Sequence, residues 1–175
     1  KNFPMQKPPP ALFTTKAWAS DLHLQAGRLA QQLDHPELAK SAYLLVTNEH
    51  VTERNRLKMK AEAHMGLALI ARKAGNIQEA RQQTRQVLSL CRKLGTPRLT
   101  AHALLLQAEL TTDSTNRWDQ LERALDIYHA LDDAQGEKRA LLSLIELARA
   151  GHPSSTTEQL ELRLQDLKAK LGEQN

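Results

Sequence analysis

Seven histidines, one cysteine and a few carboxylates are the residues of this chain equipped to bind a metal or move a proton. His64 and His102 each follow an alanine in stretches of similar pattern, an arrangement that would bring two imidazoles onto neighbouring helices. A zinc site needs three or four His, Cys, Asp or Glu ligands, and no Cys or carboxylate joins this pair at ligand spacing. Cys91 is the one cysteine, so it cannot close an internal disulfide, and it reads as a small buried apolar residue. Asp119 and Asp132-Asp133 lie near expected helix ends and read as caps or dipole partners. There is no Gly-rich phosphate loop, His-Glu-x-x-His helix or Gly-x-Ser-x-Gly elbow. These residues point away from an enzyme, and no cofactor or metal is expected.

Charge is the second signal. From Arg54 to Arg98 there are eleven basic residues against Glu62 and Glu79, whereas Leu99 to Asn175 holds eight basic and thirteen acidic residues. Arg54, Arg56, Lys58 and Lys60 form the densest basic cluster, a patch that would steer in an acidic surface or a phosphate backbone. Basic residues on a helix exterior are also ordinary solvated faces. Single-strand nucleic acid binding calls for aromatic stacking platforms, and none lies between Tyr43 and Trp118. Nucleic acid is therefore not an expected partner of this domain alone, while an acidic protein or peptide is. Basic and acidic units could also associate head to tail, which makes a homo-oligomer a further expectation.

Helices must carry these residues. The chain is rich in Ala, Leu, Gln and Arg, which favour helix, and has no alternating β-branched run that would argue for a sheet. Helix signals come in pairs. The first pair spans Thr15 to Leu33 and Pro36 to Asn48, separated by Asp34-His35-Pro36-Glu37 with Pro at the first helical position. The second spans Glu53 to Ala74 and Ile77 to Leu94, with Gly75-Asn76 as its turn and Asn76 with Glu79 as a capping box. The third opens at Thr96-Pro97, passes a loose Thr111–Asn116 turn, and continues from Arg117 to Leu131. The fourth spans Ala134 to Ala150 and Thr156 to Leu171, with Ser155 and Glu158 as a second capping box. Trp18, Trp118 and Tyr128 fall at core-like spacing and read as packing residues. Lys1 to Phe13, with Pro8-Pro9-Pro10, is expected to be a linker or arm, because consecutive prolines do not sit inside a helix. Residues 14–175 form the helical domain, and the whole reads as a piece of something larger.

The pairs repeat. Ala103-Leu104-Leu105-Leu106-Gln107-Ala108-Glu109-Leu110 matches Ala140-Leu141-Leu142-Ser143-Leu144-Ile145-Glu146-Leu147 at an offset of 37 residues, as Leu88, Cys91 and Leu94 match Leu125, Tyr128 and Leu131. Gly27, Asp34, Ala39 and Tyr43 match Ala68, Gly75, Ala80 and Thr84 at an offset of 41. Stacked hairpins of this kind make solenoids whose usual work is to hold another molecule.

The pattern resembles the tetratricopeptide repeat, with a small residue on the first helix, a turn Gly or Asp, and Ala-x-x-x-aromatic on the second. Ala26-Gly27, Asp34, Ala39 and Tyr43 carry it, as do Leu67-Ala68, Gly75-Asn76, Ala80 and Val87-Leu88. The resemblance covers about residues 15 to 171 and weakens in the third and fourth pairs, where Leu105 replaces a small residue and Gly151-His152-Pro153 replaces the usual turn. It implies an all-α, right-handed superhelix of about four hairpins and eight helices. The longer period is similar to that of units in bacterial signal-responsive transcription activators and eukaryotic scaffold proteins. The family's first helices line a concave groove, which implies Gln25, Arg28 and Gln32 from the first pair and Met65, Leu69 and Arg72 from the second. It likewise implies His102, Leu106 and Glu109 from the third, and Arg139, Ser143 and Glu146 from the fourth. The carboxylate-clamping set of the chaperone-binding members is not reproduced at these positions. An apolar centre with charged flanks suits an amphipathic helix or extended peptide, although Met65, Leu69 and Leu106 could equally pack against neighbouring helices.

Leu160, Leu164, Leu167 and Leu171 form a narrow seam on the last helix, expected to cap the array; a dimerising seam is the alternative. No apolar stretch approaches the roughly 20 residues that span a bilayer, so no membrane partner is expected and a cytoplasmic location is. The expected function is a non-catalytic protein-interaction module, the scaffold or regulatory part of a larger protein, binding a peptide or partner helix in its groove. The alternative is the signal-sensing domain of a transcription regulator whose DNA-binding domain lies elsewhere.

Overall fold

The computed structural model describes residues 15–151 and 157–172. Among them are eight α-helices and no strand: α1 (Thr15–Gln32), α2 (Pro36–Thr47), α3 (Arg54–Lys73), α4 (Ile77–Leu94), α5 (Pro97–Leu110), α6 (Ser114–Ala130), α7 (Ala134–Arg149) and α8 (Thr157–Lys170). The protein is all-α, and none of these helices is long and apolar enough to cross a membrane. The expected arm, Lys1 to Phe13, and the Ser155 cap lie outside the described residues.

Local chemistry sets most boundaries. Pro36 and Pro97 open α2 and α5, where a missing backbone N–H costs nothing. Asn76 Oδ1 accepts from the Glu79 amide at 3.3 Å, but the Glu79 carboxylate accepts from the Asn76 side-chain amide at 2.9 Å and not from its backbone, so the capping box is half-formed. Gly75 and Gly95 stand at φ 74° and 62°, left-handed backbone that ends a helix without a Cβ clash. Asp133 caps α7, accepting from the Gly136 amide at 3.0 Å. Thr96 holds the expected cap position of α5, though without a side-chain bond. Two expectations fail here. Asp119 lies exposed inside α6, away from either end. The Thr111–Asn116 turn is shorter than expected, because Asp113 accepts from the Asn116 amide at 2.9 Å and starts α6 at Ser114.

Each helix packs on its chain neighbours, and α1 also packs on α3. The described residues form four apolar clusters. The largest joins α5, α6, α7 and α8 through Leu104, Trp118, Leu121, Tyr128, Leu141, Leu144, Leu164 and Leu167. At the other end Leu24, Ala39, Tyr43 and Val46 meet Ala63 and Leu67 of α3. The α8 seam therefore faces inward, with Leu164 and Leu167 buried and Leu160 and Leu171 packed beside them. Cys91 is buried as expected, and so are Trp118 and Tyr128. Trp18 is the exception at 69% exposed: among the described residues no helix packs over the outer side of α1, so a residue at core-like spacing faces out.

Candidate functional site

Helices α3 and α5 meet through Leu106 and Leu110 against Ala68 and Ala71, close to where Arg72 pairs with Glu109. Residues of their N-terminal halves border a cavity instead. The space between them, walled by α1 and the Gly95-Thr96 turn, is an open cavity of about 590 Å³. Its apolar lining comes from Tyr43, Met65, Leu69, Pro97 and Leu99, and its charged rim from Arg28, Lys58, Glu62 and Arg98, with His102 beside them. Glycine explains the floor. A Cβ at Gly27 would come 2.5 Å from the Tyr43 ring and one at Gly66 2.3 Å, so the ring is clamped between α1 and α3, and Tyr43 and Gly66 both line the cavity from this buried position. The Tyr43 hydroxyl donates to Gln31 Oε1 at 3.0 Å.

The rim carries more positive than negative charge. Arg28 Nη2 reaches Glu62 Oε2 at 2.5 Å, closing the α1–α3 wall. Arg98 Nε lies 3.4 Å from Asp133. Lys58 is exposed with no ion-pair partner among the described residues. His102 stacks tilted on Tyr128 at 5.7 Å. Partial burial holds the His102 pKa below its ordinary value, Arg139 and Arg98 add to the effect, and Asp133 opposes it. The imidazole is thus held toward its neutral form and offers a hydrogen-bonding ring in place of a fourth cation.

Four groove residues implied by the family resemblance, Arg28, Met65, Leu69 and His102, converge on this cavity. The others do not. Gln25 and Gln32 are exposed on the outer side of α1, and Arg72 and Glu109 pair with each other. Leu106 is only 3% exposed and belongs to the α3–α5 packing. Arg139, Ser143 and Glu146 ride on α7 outside the cavity. Met65 and Leu69 do both jobs, each half-buried against the core while lining the cavity.

The cluster Arg54, Arg56, Lys58, Lys60 is not one patch. A two-residue step turns a helix by about 200°, so Arg54 and Lys58 leave one side of α3 and Arg56 and Lys60 the other. Arg54 donates to the Leu94 carbonyl at the end of α4. Arg56 pairs with Glu49, and Lys60 Nζ donates to the Glu49 carbonyl at 3.0 Å. Lys58 alone reaches the cavity. Further basic charge gathers elsewhere, around a second cavity of about 480 Å³ between α4, α5 and α6 lined by Arg85, Arg92 and Arg123.

His64 and His102 are not a ligand pair either. His64 Nδ1 contacts Gln83 Oε1 at 2.7 Å toward α4, whereas His102 faces Tyr128. Burial lowers the His64 pKa, with the Gln83 bond opposing. Among the described residues no group of three His, Cys, Asp or Glu is placed to hold a metal. Sequence reasoning missed Tyr43 and Gly66 as lining of the cavity floor. A signal existed: a glycine inside a helix costs about 1 kcal/mol relative to alanine and so asks for a close-packed neighbour. In comparison with known proteins, no family model and no curated sequence matches this chain.

Proposed function

We propose that this chain is a non-catalytic interaction module, the scaffold or regulatory part of a larger protein, and that it receives an acidic peptide or partner helix in the α3–α5 cavity. The reading takes the hairpins as a right-handed tetratricopeptide-like array. The observation that carries it is the lining of the cavity. An apolar floor of Tyr43, Met65, Leu69 and Leu99 lies under a rim where Arg28, Lys58 and Arg98 outnumber Glu62. Such a surface suits a segment with one or two apolar anchors flanked by carboxylates: the anchors supply burial, and the charges supply orientation and encounter rate. A pull-down with the wild-type chain identifies the partner, and the captured segment is then titrated against Lys58→Glu and Met65→Asp. Lys58→Glu is expected to weaken binding about tenfold at low salt and less at high salt, since an exposed rim charge is screened. Met65→Asp is expected to weaken it at all salt concentrations. Unchanged binding by both variants, with helix content intact by circular dichroism, removes the cavity from the reading.

A further inference from the structure

Trp18, Leu22, Leu29 and Leu33 are 69%, 65%, 57% and 61% exposed. At about 100° per residue Trp18, Leu22 and Leu29 fall within one arc of about 40° on α1, opposite Gly27, which points at Tyr43, and Leu33, whose amide donates to the Leu29 carbonyl at 3.0 Å just past the helix end, continues it. They form a single stripe.

Three of these four positions are covered one hairpin later. At an offset of 41, Trp18, Leu22 and Leu29 correspond to Met59, Ala63 and Ile70, and the neighbouring Ala26 to Leu67, whereas Leu33 corresponds to the exposed Ala74. Ala63 and Leu67 are buried against Leu24, Ala39, Tyr43 and Val46 of the first hairpin, with Met59 and Ile70 packed at the edge. The α1 stripe is thus built as a packing surface, continuous in kind with the interface between the first two hairpins. It lacks the polar outer face that closes the end of a helical array.

Two features select the occupant. The other end of the array does not complement it: α8 turns its seam inward and exposes Glu158, Gln159, Gln165 and Asp166, with Leu162 the one large apolar residue there. The stripe does complement itself. Its spacing of 4, 7 and 4 reads the same in both directions, so an antiparallel second α1 sets Trp18 opposite Leu33 and Leu22 opposite Leu29. Gln25 then lies near the two-fold axis, where two side-chain amides can bond to each other. That is the self-complementary patch a two-fold interface requires.

We infer that a second copy of this chain docks on α1, giving a symmetric dimer through Trp18, Leu22, Leu29 and Leu33. Sedimentation equilibrium across the micromolar range tests it on the full chain. Wild type should follow a monomer–dimer equilibrium. Leu22→Glu with Leu29→Glu places like charges opposite each other and should weaken the dimer at least about a hundredfold, while Leu162→Glu should leave it unchanged. Both sites are exposed in the monomer, so helix content should hold. Gln25→Cys, which perturbs the stripe least, should form a covalent dimer on mild oxidation where Leu162→Cys does not. A wild-type monomer at every concentration, an assembly larger than a dimer, a dimer insensitive to the two glutamates, or a Gln25→Cys chain that stays uncrosslinked would each overturn the inference.

Discussion

Tyr43 and Tyr128 are both wedged against glycine, yet the two rings keep different company. Tyr43 has a glycine on either side, Gly27 of α1 and Gly66 of α3, and its hydroxyl is bonded to Gln31. Tyr128 meets Gly136 of α7 on one side and the tilted, exposed His102 ring on the other, and its buried hydroxyl has no partner. The surroundings differ as well. Tyr128 sits in the largest apolar cluster with Trp118, whereas Tyr43 sits in a smaller one below the exposed leucines of α1 and α2. In the smaller cluster the ring is held between two helical glycines and by a hydrogen bond; in the larger one it is held against a single glycine and by full burial, with no bond to its hydroxyl.

The largest expected effect lies in the thickness of the two cores. Trp118→Ala should cost about 3–5 kcal/mol, the range for truncating a buried aromatic, while Trp18→Ala at low protein concentration should stay within about 0.5 kcal/mol. Urea midpoints measure both, and a large loss at Trp18 would mean that the α1 face is packed within the monomer. Next comes the clamp. A Cβ at position 66 would lie 2.3 Å from a ring with a glycine on either side, and one at 136 would lie 2.2 Å from a ring with a glycine on one side only. Gly66→Ala, where the ring has helix backbone behind it, should destabilise by about 2–3 kcal/mol and Gly136→Ala by about 1 kcal/mol, at the two ends of the overpacking range. Equal losses in thermal melts would break the distinction between a ring gripped on two sides and one gripped on a single side.

The hydroxyls give a smaller contrast. Tyr43→Phe should cost about 1 kcal/mol for the lost bond to Gln31, whereas Tyr128→Phe, removing a buried unpartnered group, should be neutral or mildly stabilising. The subtlest test is alkaline pH. Burial pushes the Tyr128 phenol up to about 12 from an ordinary 10.0. Between these values the unfolded chain has released a proton that the fold still holds, so stability falls as pH rises. Below pH 10 the contribution is intact. Tyr128→Phe should flatten this alkaline limb in denaturant titrations at stepped pH, and an unchanged slope would show that the phenol titrates freely in the fold.

Much of the fold was legible in the sequence because local rules act at helix ends. Pro36, Gly75-Asn76, Thr96-Pro97 and Asp133 each mark a boundary within a residue or two. Reading a face was harder. Leu106 and Leu69 both read as groove positions, yet Leu106 is buried and Leu69 borders the cavity, since packing between helices, which the helical period does not encode, decides it. Charge misled for the same reason. Four basic residues in seven positions read as a patch, but helical rotation sends them to opposite sides and carbonyl oxygens take up two of them. Gln25 and Gln32 were placed in the groove by analogy and instead border the outer stripe.

The arginines that reach those carbonyls have a consequence for synthesis. Arg54 closes the end of α4 at Leu94, and Arg81 closes the end of α5, donating from Nε to the Leu110 carbonyl at 3.0 Å. In both cases the arginine precedes the helix end it closes. A nascent chain growing from its N-terminus thus meets each terminus with its partner already made, and neither closure waits on chain still to come.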